Sequence, residues 1–122
     1  TRGEALALEP DRIAKGVDQF ANGNLVVAVI EIIKPNEKVP ALELTYSAGA
    51  VCLAMLNAAL ASGWGANWLS GWPSHDRGFM TDALDLAEDE RVAGFIHIGT
   101  EKSAPPERPR PDLEKITQWL SE

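Results

Sequence analysis

Residues 40–62 read PALELTYSAGAVCLAMLNAALAS, and this stretch decides what kind of fold the chain can adopt. Its spacing predicts one helix from Pro40 to Ser62, about 22 residues and therefore about 33 Å long. The first turns are mixed, with Glu43 and Tyr46, but from Ala48 onward the helix is apolar all round. Ala50, Ala54, Ala58 and Ala61 fall on one stripe, and Leu53, Leu56 and Leu60 on another. A helix with no polar face must be covered on every side. Each fully buried leucine contributes roughly 1.5–3 kcal/mol, so exposure of that surface is costly. A chain of 122 residues can cover about half of it, and the small-residue stripe is expected to be a self-association interface.

Working outward, Gly63-Trp64-Gly65 stops the helix, with Gly63 suited to the left-handed position after its last turn. Ala66 to Leu69 is a short extended piece. Gly71-Trp72-Pro73 turns the chain, and Ser74 is placed to cap a short helix running to Met80. Asp82 to Asp89 reads as a polar loop anchored by Leu84 and Leu86. Arg91 to Ile98 alternates as a strand, with Val92, Ile96 and Ile98 on one side and Ala93, Phe95 and His97 on the other. Upstream, Pro10 opens a helix whose Ile13, Val17 and Phe20 share one face, and Ala21-Asn22-Gly23-Asn24 ends it. Leu25 to Ile33 (LVVAVIEII) is apolar on both faces, as a central strand is. Residues 102–111 hold four prolines and form an extended arm. Asp112 then caps a closing helix carrying Leu113, Ile116, Trp119 and Leu120. Two clear strands make a poor sheet by themselves, so a missing segment or a partner strand is expected.

Composition narrows the function classes. The chain is 45% hydrophobic and 24% charged, ordinary for a globular domain, and carries a formal charge of -7. That charge repels phosphate backbones, so nucleic acid is not an expected partner. The apolar run Ala48–Ala61 is about 14 residues, short of the roughly 20 that span a bilayer, and no membrane association is expected. With one cysteine, Cys52, no disulfide framework can form within the chain, which fits a cytoplasmic setting.

Few side chains offer catalysis of their own. Ser74-His75-Asp76 has the residue types of a hydrolytic triad, but adjacent residues have the wrong geometry, and no nucleophile elbow is present. Cys52 lies mid-helix among apolar neighbours, as an inert thiol does. His75 and His97 have no ligand spacing around them, so no metal site is expected. The acidic cluster Asp85, Glu88, Asp89 and Glu90 reads as a solvated loop face, without a calcium-loop spacing. Gly63-x-Gly65 follows a helix rather than a strand and lacks the third glycine of a dinucleotide fingerprint. Trp64, Trp68 and Trp72 recur at intervals of four, but the intervening glycines and Pro73 keep them off one helical face. They fill a core or line a pocket, a base- or sugar-stacking platform being the alternative. Arg108 and Arg110 on the proline-stiffened arm suit a bidentate phosphate contact, or are charges on a solvated tail.

Taken in order, Ser47-Ala48-Gly49-Ala50, the run Ala61-Ser62-Gly63-Trp64-Gly65-Ala66-Asn67-Trp68-Leu69-Ser70-Gly71, the strand Arg91–Thr100 and the arm Glu107-Arg108-Pro109-Arg110-Pro111 resemble the nitroreductase family, in its small single-domain branch. The resemblance covers essentially the whole chain. It implies an α+β fold, a mainly antiparallel sheet flanked by helices, in an intertwined homodimer around the long apolar helix, with the arm crossing to the other subunit. It implies FMN at the dimer interface and hydride transfer from NAD(P)H to a nitroaromatic, quinone or similar small acceptor. Matched to the family's segments, Trp68, Leu69 and Ser70 would contact FMN, and Arg108 and Arg110 would hold its phosphate. Ala58, Ala59, Leu60, Ala61, Ser62 and Gly63 would lie at the nicotinamide nucleotide. The family's Arg-Ser-x-Arg-type motif has no counterpart here, so residues 1–122 are expected to be one domain lacking its N-terminal third. A dimeric module of the same fold that no longer binds flavin is the alternative.

Overall fold

The structure, a computed structural model, describes residues 1–120. Its elements are α1 (Arg2–Ala5), α2 (Pro10–Ala21), β1 (Leu25–Ile32), α3 (Ala41–Ala61), β2 (Gly65–Leu69), a 3-10 turn (Trp72–Ser74), α4 (Arg77–Leu84), β3 (Glu90–Gly99) and α5 (Leu113–Ile116). This is an α+β fold. The sheet is antiparallel with order β1-β3-β2.

The extended piece after Gly63 is thus a third strand, which completes the minimum for a stable sheet. Five residues are enough because β2 pairs with the far end of β3, Gly65 opposite Gly99 and Leu69 opposite Phe95. The long β3 sits in the middle and touches both neighbours.

The alternation expected along β3 is corrected by one residue. Val29 pairs with Gly94 and Ile30 with Val92, so Ala93 is an extra residue, a β-bulge. A bulge changes which face each residue before it occupies. Val92 therefore joins Phe95 and Met80 on one side of the sheet, while Ala93 packs with Ile96, Val29 and Cys52 on the other.

Those two faces are covered differently. On one, α2 and α4 bring Phe20 and Phe79 onto Phe95, Met80 and Val92. The rings of Phe20 and Phe95 meet edge to face at 5.0 Å, a favoured arrangement for aromatic quadrupoles. On the other, α3 buries only Cys52 and Ala59 among its 21 residues. All four alanines of the small-residue stripe are exposed, as are Leu53 and Leu60, about half accessible each.

Two local readings also change. Asp76, not Ser74, caps the helix after the turn: its carboxylate accepts from the Phe79 amide, 2.7 Å away. Ser74 instead ends the 3-10 turn, and α4 runs on to Leu84, where Asp85 adopts the left-handed conformation. The helix stop at Gly63, with φ of +84°, is as expected. By length and composition α3 could cross a membrane. Its 21 residues exceed the apolar run counted from the sequence, so packing on the sheet through Cys52, rather than shortness, ties it to this domain.

Candidate functional site

Because β2 ends at Leu69 while β3 runs back to Glu90, the edge of β3 beyond Phe95 has no strand beside it on that side. Trp68 folds over this gap. A Cβ at Gly94 would collide with the Trp68 indole nitrogen, so only glycine lets the ring lie against the strand there. Trp72 is seated in the same way, its indole against Gly16 on α2. Both close approaches put aromatic area against backbone, where it packs without disturbing the sheet.

Next to Trp68 opens a cavity of about 600 Å³ between α3, the free edge of β3 and the Trp72–Ser74 turn. Its polar wall is one hydrogen-bonded unit. Arg91 meets Glu31 in a two-pronged pair, Nε to Oε2 at 2.8 Å and Nη2 to Oε1 at 3.1 Å. Thr45 Oγ1 donates to Glu31 Oε1 at 2.9 Å and accepts from Arg91 Nη2 at 2.9 Å. β1, β3 and α3 are pinned together at this point. The Arg91 hydrogen bonds hold the Glu31 carboxyl below its ordinary range despite burial, so it stays charged while 7% exposed. Ser74, 4% exposed, also lines the cavity, while its hydroxyl oxygen is enclosed and has no hydrogen-bond partner.

Two further hollows flank the sheet. An apolar one of about 560 Å³ lies at the end of α3, lined by Ala58, Ala59, Ser62, Met55, Leu25 and Trp64. The third, about 520 Å³, carries Asn67, Leu69 and His97. Burial pushes the His97 imidazole below its ordinary range, and its Nε2 is enclosed without a partner.

The residues singled out in the sequence are therefore distributed. Trp68 walls the first cavity and Leu69 the third, since successive strand residues face opposite ways. The Ser70 carbonyl accepts from Gln19 Nε2 at 3.4 Å. Ala58, Ala59 and Ser62 line the second hollow, Leu60 and Ala61 are exposed outside it, and Gly63 makes the turn that joins α3 to β2. Arg108 and Arg110 lie on the exposed arm, outside all three cavities. Arg110 pairs with Glu107 of the same arm at 3.0 Å, a contact exposed enough to exchange readily for a stronger anion.

Sequence reading missed Ser74 in this role, the Glu31–Thr45–Arg91 unit, and the pair between Arg2 and Asp76, at 2.7 and 2.9 Å. One signal was available. Glu31 is the single charge in an apolar strand, and a charge there needs a partner.

Comparison with known proteins decides the family. The model of the Nitroreductase family matches residues 4–100. The chain belongs to the nitroreductase family. The nitroreductase match takes in all three strands, the long helix and the Trp68–Ser70 segment, and stops short of the proline-rich arm. YdjA of Escherichia coli strain K12, which bears a provisional NAD(P)H nitroreductase name, is 32% identical over 102 residues. Those residues are 76% of this chain and 55% of YdjA, so the chain spans about half the length of this relative. YdjA of the O157:H7 strain gives the same figures. A crystal structure of a nitroreductase-like family protein from Bacillus cereus superposes with a TM-score of 0.75 at 22% identity, over 92% of this chain and 60% of that one. A structure from Exiguobacterium sibiricum, provisionally described as a nitroreductase in complex with FMN, gives 0.57 at 18% identity, over 98% and 52%.

Proposed function

We propose that the chain is part of an FMN-dependent oxidoreductase that moves hydride from NAD(P)H to a small acceptor such as a nitroaromatic or a quinone. The observation that carries the reading is the family match over residues 4–100, which holds the whole sheet and the Trp68–Ser70 segment together. FMN in the Exiguobacterium sibiricum protein supports the choice of cofactor. The residues present fit one side of a flavin: an indole packed against Gly94, beside a cavity with a polar wall. FMN, when bound, supplies the hydride chemistry, which accounts for the want of a protein nucleophile in the sequence.

The remaining work falls to the chain. Trp68, Leu69 and Ser70 would border the isoalloxazine, with Gln19 fixing the Ser70 backbone. Arg108 and Arg110 would take the phosphate, as planar guanidinium groups do. Ala58–Gly63, at the mouth of the apolar hollow, would meet the nicotinamide nucleotide. A second copy of the chain is the partner we propose for the open face of α3, its arm crossing in return. That exchange would cover Leu113, Ile116, Trp119 and Leu120, the last two about nine-tenths exposed. The low cysteine content and the acidic surface support a cytoplasmic protein free of nucleic acid and membrane.

The visible absorption spectrum of the full chain reconstituted with FMN tests the reading. Flavin bands that survive gel filtration, and are lost in the Arg108→Ala/Arg110→Ala double variant, are expected. Flavin retained by the double variant removes the phosphate assignment. A dimer that stays colourless after reconstitution identifies instead a structural module of the same fold.

A further inference from the structure

Near its start α2 carries two cations, Arg12 and Lys15, spaced so that they are neighbours on the helix surface. Together they line a small hollow, about 150 Å³, bordered on its other side by Gly71, Trp72 and Pro73. No carboxylate among the described residues lines it. The larger cavities that hold a lysine or arginine also hold acids: Arg77 and Arg91 stand with Glu31, Glu88 and Glu90, and Lys102 with Asp18 and Glu101. Arg12 and Lys15 are exposed, and neither forms an ion pair with a carboxylate among the described residues. In a chain of net charge -7 they make a local excess of positive charge that the protein itself leaves unneutralised.

The size of the hollow limits its occupant. Sites for drug-sized ring systems run to roughly 300 Å³ or more. A phosphate group is smaller, and here it would meet a guanidinium that grips it bidentately and an ammonium that acts as a point charge. Position narrows the choice. Gln19 lines the same hollow and donates to the Ser70 carbonyl, so the hollow lies beside the segment proposed to border the flavin. Gln19 also lines the third hollow, which shares Asn24 and Gly99 with the apolar one proposed for the nicotinamide half of the donor. We infer that Arg12 and Lys15 bind a phosphate monoester, the 2′-phosphate that distinguishes NADPH from NADH, and so give the chain a preference for NADPH. The inference rests on the oxidoreductase reading for the identity of the ligand, but the phosphate site comes from the charge and size of the hollow. A phosphate monoester carries about 1.5 to 2 negative charges at neutral pH, more than either phosphate of the diphosphate bridge, so it is the group of the donor that paired cations hold best.

Calorimetric titration of the full chain with AMP and with adenosine 2′,5′-bisphosphate, which differ only in the 2′-phosphate, tests the site. The bisphosphate is expected to bind about tenfold more tightly. Arg12→Ala/Lys15→Ala should bring the two probes within about twofold of each other at an unchanged Tm, because both side chains are exposed. Lys34→Gln/Lys38→Gln removes the same charge elsewhere and should leave the difference in place. Equal affinity for the two probes in the parent, a difference that survives Arg12→Ala/Lys15→Ala, or one lost equally in Lys34→Gln/Lys38→Gln would each overturn the assignment. Loss of FMN from the Arg12→Ala/Lys15→Ala variant would overturn it too, by giving the hollow to the flavin phosphate. The outcomes separate the site from the reading it rests on. If the FMN-loaded chain oxidises NADH and NADPH with equal KM, the site is wrong and the oxidoreductase stands. If the bisphosphate binds through Arg12 and Lys15 but the chain never retains flavin, the phosphate site stands and the oxidoreductase falls.

Discussion

The two faces of the sheet were built to different degrees of completion. The face under α2 and α4 is the more fully covered of the two. Phe95 is 1% exposed, and Phe20, Phe79 and Trp72 interlock around it. The face under α3 has a narrow core of Val29, Cys52 and Ile96, and the outer side of the helix is bare. Both helical layers obey the same physics, so the difference lies in what each is for. The α3 face carries apolar residues that the described residues leave exposed, which supports the self-association proposed for it.

That contrast sets the order of effects. Phe95→Ala strikes the more fully covered face and should cost about 3–5 kcal/mol, read from the shift of the urea midpoint. A loss under 1 kcal/mol would mean the aromatic cluster is not the core it resembles. Glu31→Ala acts at the seam where α3 meets the sheet. It should cost about 1–3 kcal/mol, toward the lower end because Arg91, 45% exposed, can turn to water. Leu53→Glu, on the bare side of α3, should leave the monomer within about 0.5 kcal/mol of the parent while abolishing self-association in sedimentation velocity. If it unfolds the monomer instead, the two faces are more alike than described.

The smallest effect is that of acid. Glu31 and Asp76 have carboxyls lowered by their arginine partners, so their contribution is present above the ordinary carboxylate range and is lost as pH falls through the folded values. His97 acts in the same direction from a higher pH. Its folded value is lowered by burial, so the unfolded chain takes up the proton first, and stability begins to fall below about pH 6.5. Stability measured from pH 7 to pH 5 should therefore decline in the parent and decline less in His97→Gln. Parallel curves would remove His97 from the account.

How much of this was legible in the sequence follows from the range of the interactions. The ends of α2, α3 and β1 are set by neighbours in sequence, such as Pro10, Gly63 and the β-branched run from Leu25, and the reading placed them within a residue or so. The bulge at Ala93 is invisible from β3 alone, since it exists only in the register with β1. Asp76 displaced Ser74 as the helix cap because Pro73 draws Ser74 into the 3-10 turn, and Arg2, 74 positions away, holds the Asp76 carboxylate in place. The site was legible only in part for the same reason. Trp68 announced itself by its neighbours, whereas the cavity beside it is made where β2 stops short of β3, a difference in strand lengths that no local pattern records. Residues 104–112 carry neither helix nor strand, and Arg108 and Arg110 keep their assigned role as a proposal that turns on a second copy.

Sedimentation velocity of the full chain with FMN, followed at once in the protein and flavin absorption bands, tests the central claim most directly. The account predicts that flavin sediments with a dimer-sized species and separates from the protein when Leu53→Glu removes the dimer. Flavin left behind by a colourless protein, or carried by a stable monomer, would contradict it.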